Sequence, residues 1–143
     1  MNTDNQLYEV VAKLEKRLKD GLSALPFPIT LEKVCWINAS FTTPNNLPWL
    51  RNSIINFGPI DQDASGSYEI NQGLYVIGVF WPKKSGIGDP LRQAQAIKSL
   101  YTGEFFDDVV IESVTVSPTP EPESSSWYGV NVSITYSFEG ATA

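Results

Sequence analysis

The chain opens on apolar positions three and four apart: Leu7, Val10, Val11, Leu14, Leu18 and Leu22, with Lys13, Lys16, Arg17 and Lys19 around the remaining circumference. That is the period of one helical face, and it predicts an amphipathic helix. Thr3 and Gln6 stand at capping-box spacing at its start, and Gly21 offers a left-handed stop at its end. Pro26 and Pro28 then enforce an extended connector, because each fixes its own φ and disfavours helix in the residue before it.

From Val34 the period changes to two, with Trp36, Asn38 and Ser40 on one side and Cys35, Ile37, Ala39 and Phe41 on the other. A strand fits that alternation. Another is expected over 47–57, after a turn through 43–46, with Gly58 and Pro59 ending it. Residues 61–67 are polar and short. Residues 68–81 then read as one long strand, or as two halves broken at 71–73, and the run 74–81 is apolar on both faces, which places it centrally in a sheet.

A turn over 82–88 leads to a second helix, in which Asp89 caps, Pro90 takes the first turn, Leu91, Ala94, Ile97, Leu100 and Tyr101 make the apolar stripe, and Gly103 closes. β-Branched content predicts a strand over 109–116, and the prolines at 118, 120 and 122 predict a loop over 117–126. The final alternation is the cleanest in the chain. Tyr128, Val130, Val132, Ile134, Tyr136 and Phe138 face one way, and Gly129, Asn131, Ser133, Thr135, Ser137 and Glu139 the other. The order implies an α+β fold: an antiparallel-rich mixed sheet of about five strands, with an N-terminal helix and a second helix before the last two strands. Residues 1–143 are expected to form a single domain, with Leu14, Leu18, Val76, Ile97, Val132 and Ile134 in its core.

Composition narrows the chemistry. A chain of 143 residues with 42% hydrophobic and 18% charged content can bury a sizeable core. No apolar run reaches membrane-spanning length, and the opening residues lack the basic and apolar regions of a signal peptide, so a soluble cytoplasmic protein is expected. The single cysteine, Cys35, permits no internal disulfide, and with no histidine in the chain a Cys/His zinc site cannot be built. Missing histidine also removes the commonest general base. No catalytic residue, cofactor or metal is therefore assigned. A net charge of -6 argues against gripping nucleic acid through its phosphates. The acid is unevenly placed, since from Ser99 onward there is no Lys or Arg but there are seven acids.

Four constellations could carry chemistry. Asp61, Asp63, Ser65 and Gly66 reproduce the first half of a calcium loop, but position twelve is Gln72 and the preceding residues read as strand, so a polar turn is expected. Lys83, Lys84, Ser85, Gly86 and Gly88 precede a helix start, where Asp89 would repel a phosphate. Glu104, Asp107, Asp108 and Glu112 contain carboxylates enough for a glycosidase pair, with nothing in the sequence to converge them. Tyr68, Tyr75, Trp81, Trp127 and Tyr128 could build a sugar-stacking platform, which defines the competing reading: a monomeric carbohydrate- or ligand-binding β-rich module.

The amphipathic first helix, Trp-Ile-Asn at 36–38 leading to a proline-bearing turn, and Leu-Tyr-Val-Ile-Gly-Val-Phe-Trp-Pro at 74–82 followed by a glycine turn and a helix with Ala94 and Ile97, resemble the tail terminator proteins of long-tailed phages. The acidic segment after that helix, the proline-containing loop and the alternating last strand fit as well. The resemblance implies a non-enzymatic assembly protein of a phage or prophage tail. It would form a hexameric ring on the tail tube, halt tube polymerisation and offer a surface to the head-tail connector, with DNA passing through unbound. It also implies a virion location, after assembly in the host cytoplasm, without a membrane partner. A head-to-tail ring needs two unlike faces on each copy. Arg51, Lys83, Lys84 and Arg92 are the expected cations of one, in or beside the loops 43–48, 61–67 and 82–89, and Asp107, Asp108 and Glu112 the acids of the other.

Overall fold

A computed structural model describes residues 3–62, 68–102, 105–106, 109–119 and 125–141. Helix α1 spans Thr3–Gly21 and α2 Gly88–Tyr101; the strands are β1 Val34–Cys35, β2 Trp49–Gln62, β3 Tyr68–Pro82, β4 Phe105–Phe106, β5 Val109–Thr119 and β6 Trp127–Ala141. The strands form one sheet in the order β1-β2-β3-β6-β5-β4. Only the β1–β2 pair is parallel. The expected α+β architecture is the one found, and the apolar run 74–81 does lie in a central strand. Short β4 is an element that no periodicity announces.

Both helices cover the same face of the sheet. Leu14 and Leu18 of α1 and Ala94, Ile97 and Tyr101 of α2 close over Tyr75, Ile77 and Val79 of β3 and Val130, Val132, Ile134 and Tyr136 of β6, every one of them at 0% exposure. Polar groups lock the layers together where apolar contact alone would let them slide. The Tyr101 hydroxyl donates to the Leu14 carbonyl at 2.6 Å, and Arg17 Nε donates to the Leu100 carbonyl at 2.8 Å. The buried Gln93 amide ties the proline-bearing connector to α2: its Nε2 donates to the Phe27 carbonyl at 2.8 Å and its Oε1 accepts from the Phe27 N–H at 3.1 Å. A buried amide whose donor and acceptor are both engaged fixes a loop at little desolvation cost.

Several boundaries differ from those the sequence predicts, each for a local reason. Gly21 is not a left-handed stop, since its φ of -93° and ψ of -8° are helical. It is small because α2 comes close: a Cβ there would lie 2.6 Å from Leu100 Cδ1. The strand expected from 34 to 41 pairs only through Cys35, because Asn38 turns the chain at φ 54° and the Ala39 N–H donates back to the Trp36 carbonyl. Gly58 and Pro59 do not end β2. The strand passes through them on two bulges, with Gly58 at φ 85°, and Pro59 is tolerated because no strand among the described residues lies on its outer side.

Ile87, not Asp89, holds the N-cap position of α2 and makes no side-chain cap; Asp89 sits in the first turn and binds Arg92 at 2.6 Å. β5 runs to Thr119, three residues into the segment expected to be loop, and Pro118 again occupies an outer strand. Val76 is half-buried on the uncovered face, one residue out of step with the core positions Tyr75 and Ile77. The side chains of Thr3 and Gln6, like Gly103, lie outside the described residues.

Candidate subunit and partner interface

Because strand residues alternate, the face the helices leave bare is set by the same registers that build the core. It reads in rows across β2, β3, β6 and β5: Trp49, Phe80, Gly129 and Thr119; then Arg51, Gly78, Asn131 and Ser117; then Ser53, Val76, Ser133 and Thr115; then Ile55, Leu74, Thr135 and Ser113. One end of this face is aromatic. Trp49 stacks on Phe80 with ring centroids 4.3 Å apart, and Phe41 and the edge of Trp127 close on it at 5.2 and 5.9 Å. The Arg51 guanidinium lies 4.8 Å from the Phe80 ring centre, a cation–π geometry. The middle rows carry small hydroxyl and amide side chains.

At the far end, on the β5 side, Glu112 occupies the bulge between Ile111 and Ser113. Its Oε2 accepts from Gln72 Nε2 and its Oε1 from the Ser137 hydroxyl, both at 2.9 Å. The carboxylate is thus held in place with both oxygens engaged.

The proposed interface residues therefore fall into two groups. Lys83 and Lys84 sit in the turn after β3, where the Lys83 N–H donates to the Ser126 carbonyl and Lys84 adopts φ 69°; Arg92 begins α2, and Arg51 lies near the start of β2. All four basic residues belong to the Trp49–Pro82–Trp127 end of the sheet. Glu112 stands toward the other end and on the other outer long strand. Asp107, Asp108 and Glu104 lie outside the described residues.

The other constellations do not assemble. Tyr75 and Trp81 are core residues, and Tyr128 belongs to the same face of β6 as Val130, whereas Trp127 points to the bare face, so these aromatics form no common platform. The aromatic cluster that does form, from Phe41, Trp49, Phe80 and Trp127, was readable only through the register that sets Trp49 opposite Phe80. Asp61 lies in β2 with its side chain undescribed, and Asp63, Ser65 and Gly66 lie outside the described residues. Among the described residues no three Asp, Glu, Cys or His side chains group as metal ligands, and no helix is long and apolar enough to cross a membrane.

Burial raises the phenol pKa values of Tyr75 and Tyr101 far above the usual range and that of Tyr136 to about 12. None of the three can shed a proton at neutral pH.

A family model described as phage tail terminator protein matches residues 9–136. The chain belongs to the phage tail terminator family. One solved structure is 23% identical to this chain over 90% of its length and 92% of the other chain's, with a TM-score of 0.68, and so shares the fold. No curated protein matches the chain. Family membership assigns this terminator a structural part in a phage tail.

Proposed function

We propose that the chain caps the phage tail tube: copies assemble as a ring, expected to be hexameric, on the last ring of tube protein, stop its polymerisation and present a surface for the head-tail connector. The single observation that carries this reading is the family match over 9–136. The separation of basic and acidic groups supports it, since a head-to-tail ring requires two unlike surfaces on each copy. A net charge of -6 is also suited to a channel that DNA crosses without binding. Arg51, Lys83, Lys84 and Arg92 would meet Asp107, Asp108 and Glu112 of the neighbouring copy. Assembly would take place in the host cytoplasm, and the finished ring would belong to the virion tail.

Electron microscopy of tubes assembled with and without the protein tests the reading. Tubes of defined length with added density at one end are expected; unchanged lengths with bare ends would overturn it.

A further inference from the structure

The sheet has two outer edges, and both are largely open. β1 pairs with β2 only at Leu50 and Arg51, and β4 pairs with β5 only at Val109 and Val110. Beyond those residues neither β2 nor β5 has a strand partner on its outer side among the described residues. Edges are normally blunted by proline, bulges or charge, because a row of unmatched N–H and C=O groups invites another strand. Such protection is present here, but only in part. On β2 two bulges and Pro59 guard the stretch from Phe57 onward, and on β5 a bulge guards Glu112 and Pro118 guards the end. Residues 53–56 and 113–117 carry none of these devices.

The unguarded stretches lie at the same level of the sheet. Ser53 and Thr115 share the row through Val76 and Ser133, and Ile55 and Ser113 share the next through Leu74 and Thr135. Beside them Ile55 and Phe57 are 55% and 57% exposed, a large apolar presence for an edge strand that faces only water.

Direction also agrees. Three antiparallel steps separate β2 from β5, so the two run oppositely within one copy. Rotation about a ring axis keeps strand sense, so the β5 of a neighbour arrives antiparallel to β2 and continues the alternation of the sheet. Charge does not oppose the pairing: residues 53–56 and 113–117 contain no Asp, Glu, Lys or Arg, so no like charges would face each other across it.

We propose that copies of this chain join edge to edge, the unguarded stretch of β2 in one copy pairing with the unguarded stretch of β5 in the next, so that the sheet runs on across each subunit boundary. The inference rests on the ring-forming reading above and adds which surfaces close the ring.

Cysteine pairs on the full chain test it, in a Cys35→Ser background that also serves as control: Ser53→Cys with Thr115→Cys, and Ile55→Cys with Ser113→Cys. All four positions are exposed, and melting temperatures should stay at the control value. On tube-capping rings, oxidation should give a ladder of cross-linked multimers from at least one pair, with none from the single cysteines. Amide exchange at 53–56 and 113–117 should slow on assembly. Intact rings with neither cross-links nor slowed exchange would overturn the edge proposal and leave the ring reading standing. Absence of any ring on tube ends would overturn both.

Discussion

The two faces of β6 differ by a single residue's step. Val130, Val132, Ile134 and Tyr136 are completely enclosed, whereas Asn131, Ser133 and Thr135, which alternate with them, remain half-exposed on the bare face. The covered face is mainly apolar, with Asn52 of β2 and Asn71 of β3 as buried polar exceptions, and has two helices over it. The bare face is aromatic at one end, small and polar through the middle, and apolar again where Ile55 and Phe57 stand beside an open edge. Stability therefore resides mainly on one side of the sheet, while much of the other side and its edges remains uncovered among the described residues.

Truncation should separate the faces most sharply. Ile134→Ala and Leu14→Ala each leave a cavity in a region with no exposure and should cost about 2–5 kcal/mol. Val76→Ala, on the bare face of the neighbouring strand, removes a half-buried side chain that solvent already reaches and should cost under about 1.5 kcal/mol. Urea denaturation measures all three. Equal losses at Val76 and Ile134 would mean that the two faces are equally enclosed.

A smaller effect is expected where the covered face is tightest. The Tyr136 side chain crosses Gly73 so that its hydroxyl donates to Asn56 Oδ1 at 3.1 Å. A Cβ on Gly73 would crowd that hydroxyl and stand 2.5 Å from the Ile55 carbonyl oxygen, which is backbone and cannot step aside. Gly73→Ala should therefore cost about 1–3 kcal/mol, as overpacking does. Tyr136→Phe relieves only the first of these contacts, so the double variant should recover part of the loss; full recovery would show that the backbone contact is harmless.

High pH provides a third contrast. Tyr75, Tyr101 and Tyr136 hold their phenols neutral through burial, Tyr136 up to about 12, against an ordinary value of 10. With the folded pKa above the unfolded one, the folded state keeps protons that the unfolded state releases. The stabilisation is whole below pH about 10 and declines as pH rises through the folded values. Phenolate absorbance from these three residues should appear together with loss of the circular dichroism signal. Phenolate from all of them before any unfolding would show that the covered face admits water. Tyr136→Phe should move alkaline unfolding to higher pH by a modest amount.

The same contrast explains what the sequence made legible. Periodicity works wherever one face is wet and the other dry, so α1, α2 and β6 were readable from their apolar stripes, while β5 was readable from its β-branched content. β3 was placed centrally for the related reason that both its faces are apolar. Val76 was misassigned because a strand with two apolar faces carries no mark of which one the helices cover. Turn residues misled where the chain used them at an outer edge: Gly58, Pro59 and Pro118 read as stops, yet a strand with no neighbour on one side needs no N–H there and continues. Gly21 was expected to act through its backbone and acts through its size. The candidate interface was legible as a separation of charge along the chain, but the open edges were not, because pairing between distant strands leaves no local signature.

A small effect on stability should accompany one of the largest on assembly. Lys84 is exposed in the turn after β3, and Lys83 lies partly buried beside it with its amide held by Ser126. Reversing both to Glu keeps the non-glycine backbone strain of Lys84 unchanged and lies outside the apolar core, so stability should fall by less than for the core truncations, by under about 2 kcal/mol. If these lysines face acids of the next copy, the Lys83→Glu, Lys84→Glu variant should form fewer rings on tube ends at low salt. Adding Asp107→Lys and Asp108→Lys should partly restore them, because opposite charge is regained across the boundary while each copy's own fold is left alone. A loss of rings that the second pair does not repair would place the lysines against the tube or the connector. Rings as abundant as those of the unaltered chain would remove Lys83 and Lys84 from the boundary and leave assembly to the edges and the apolar side chains beside them.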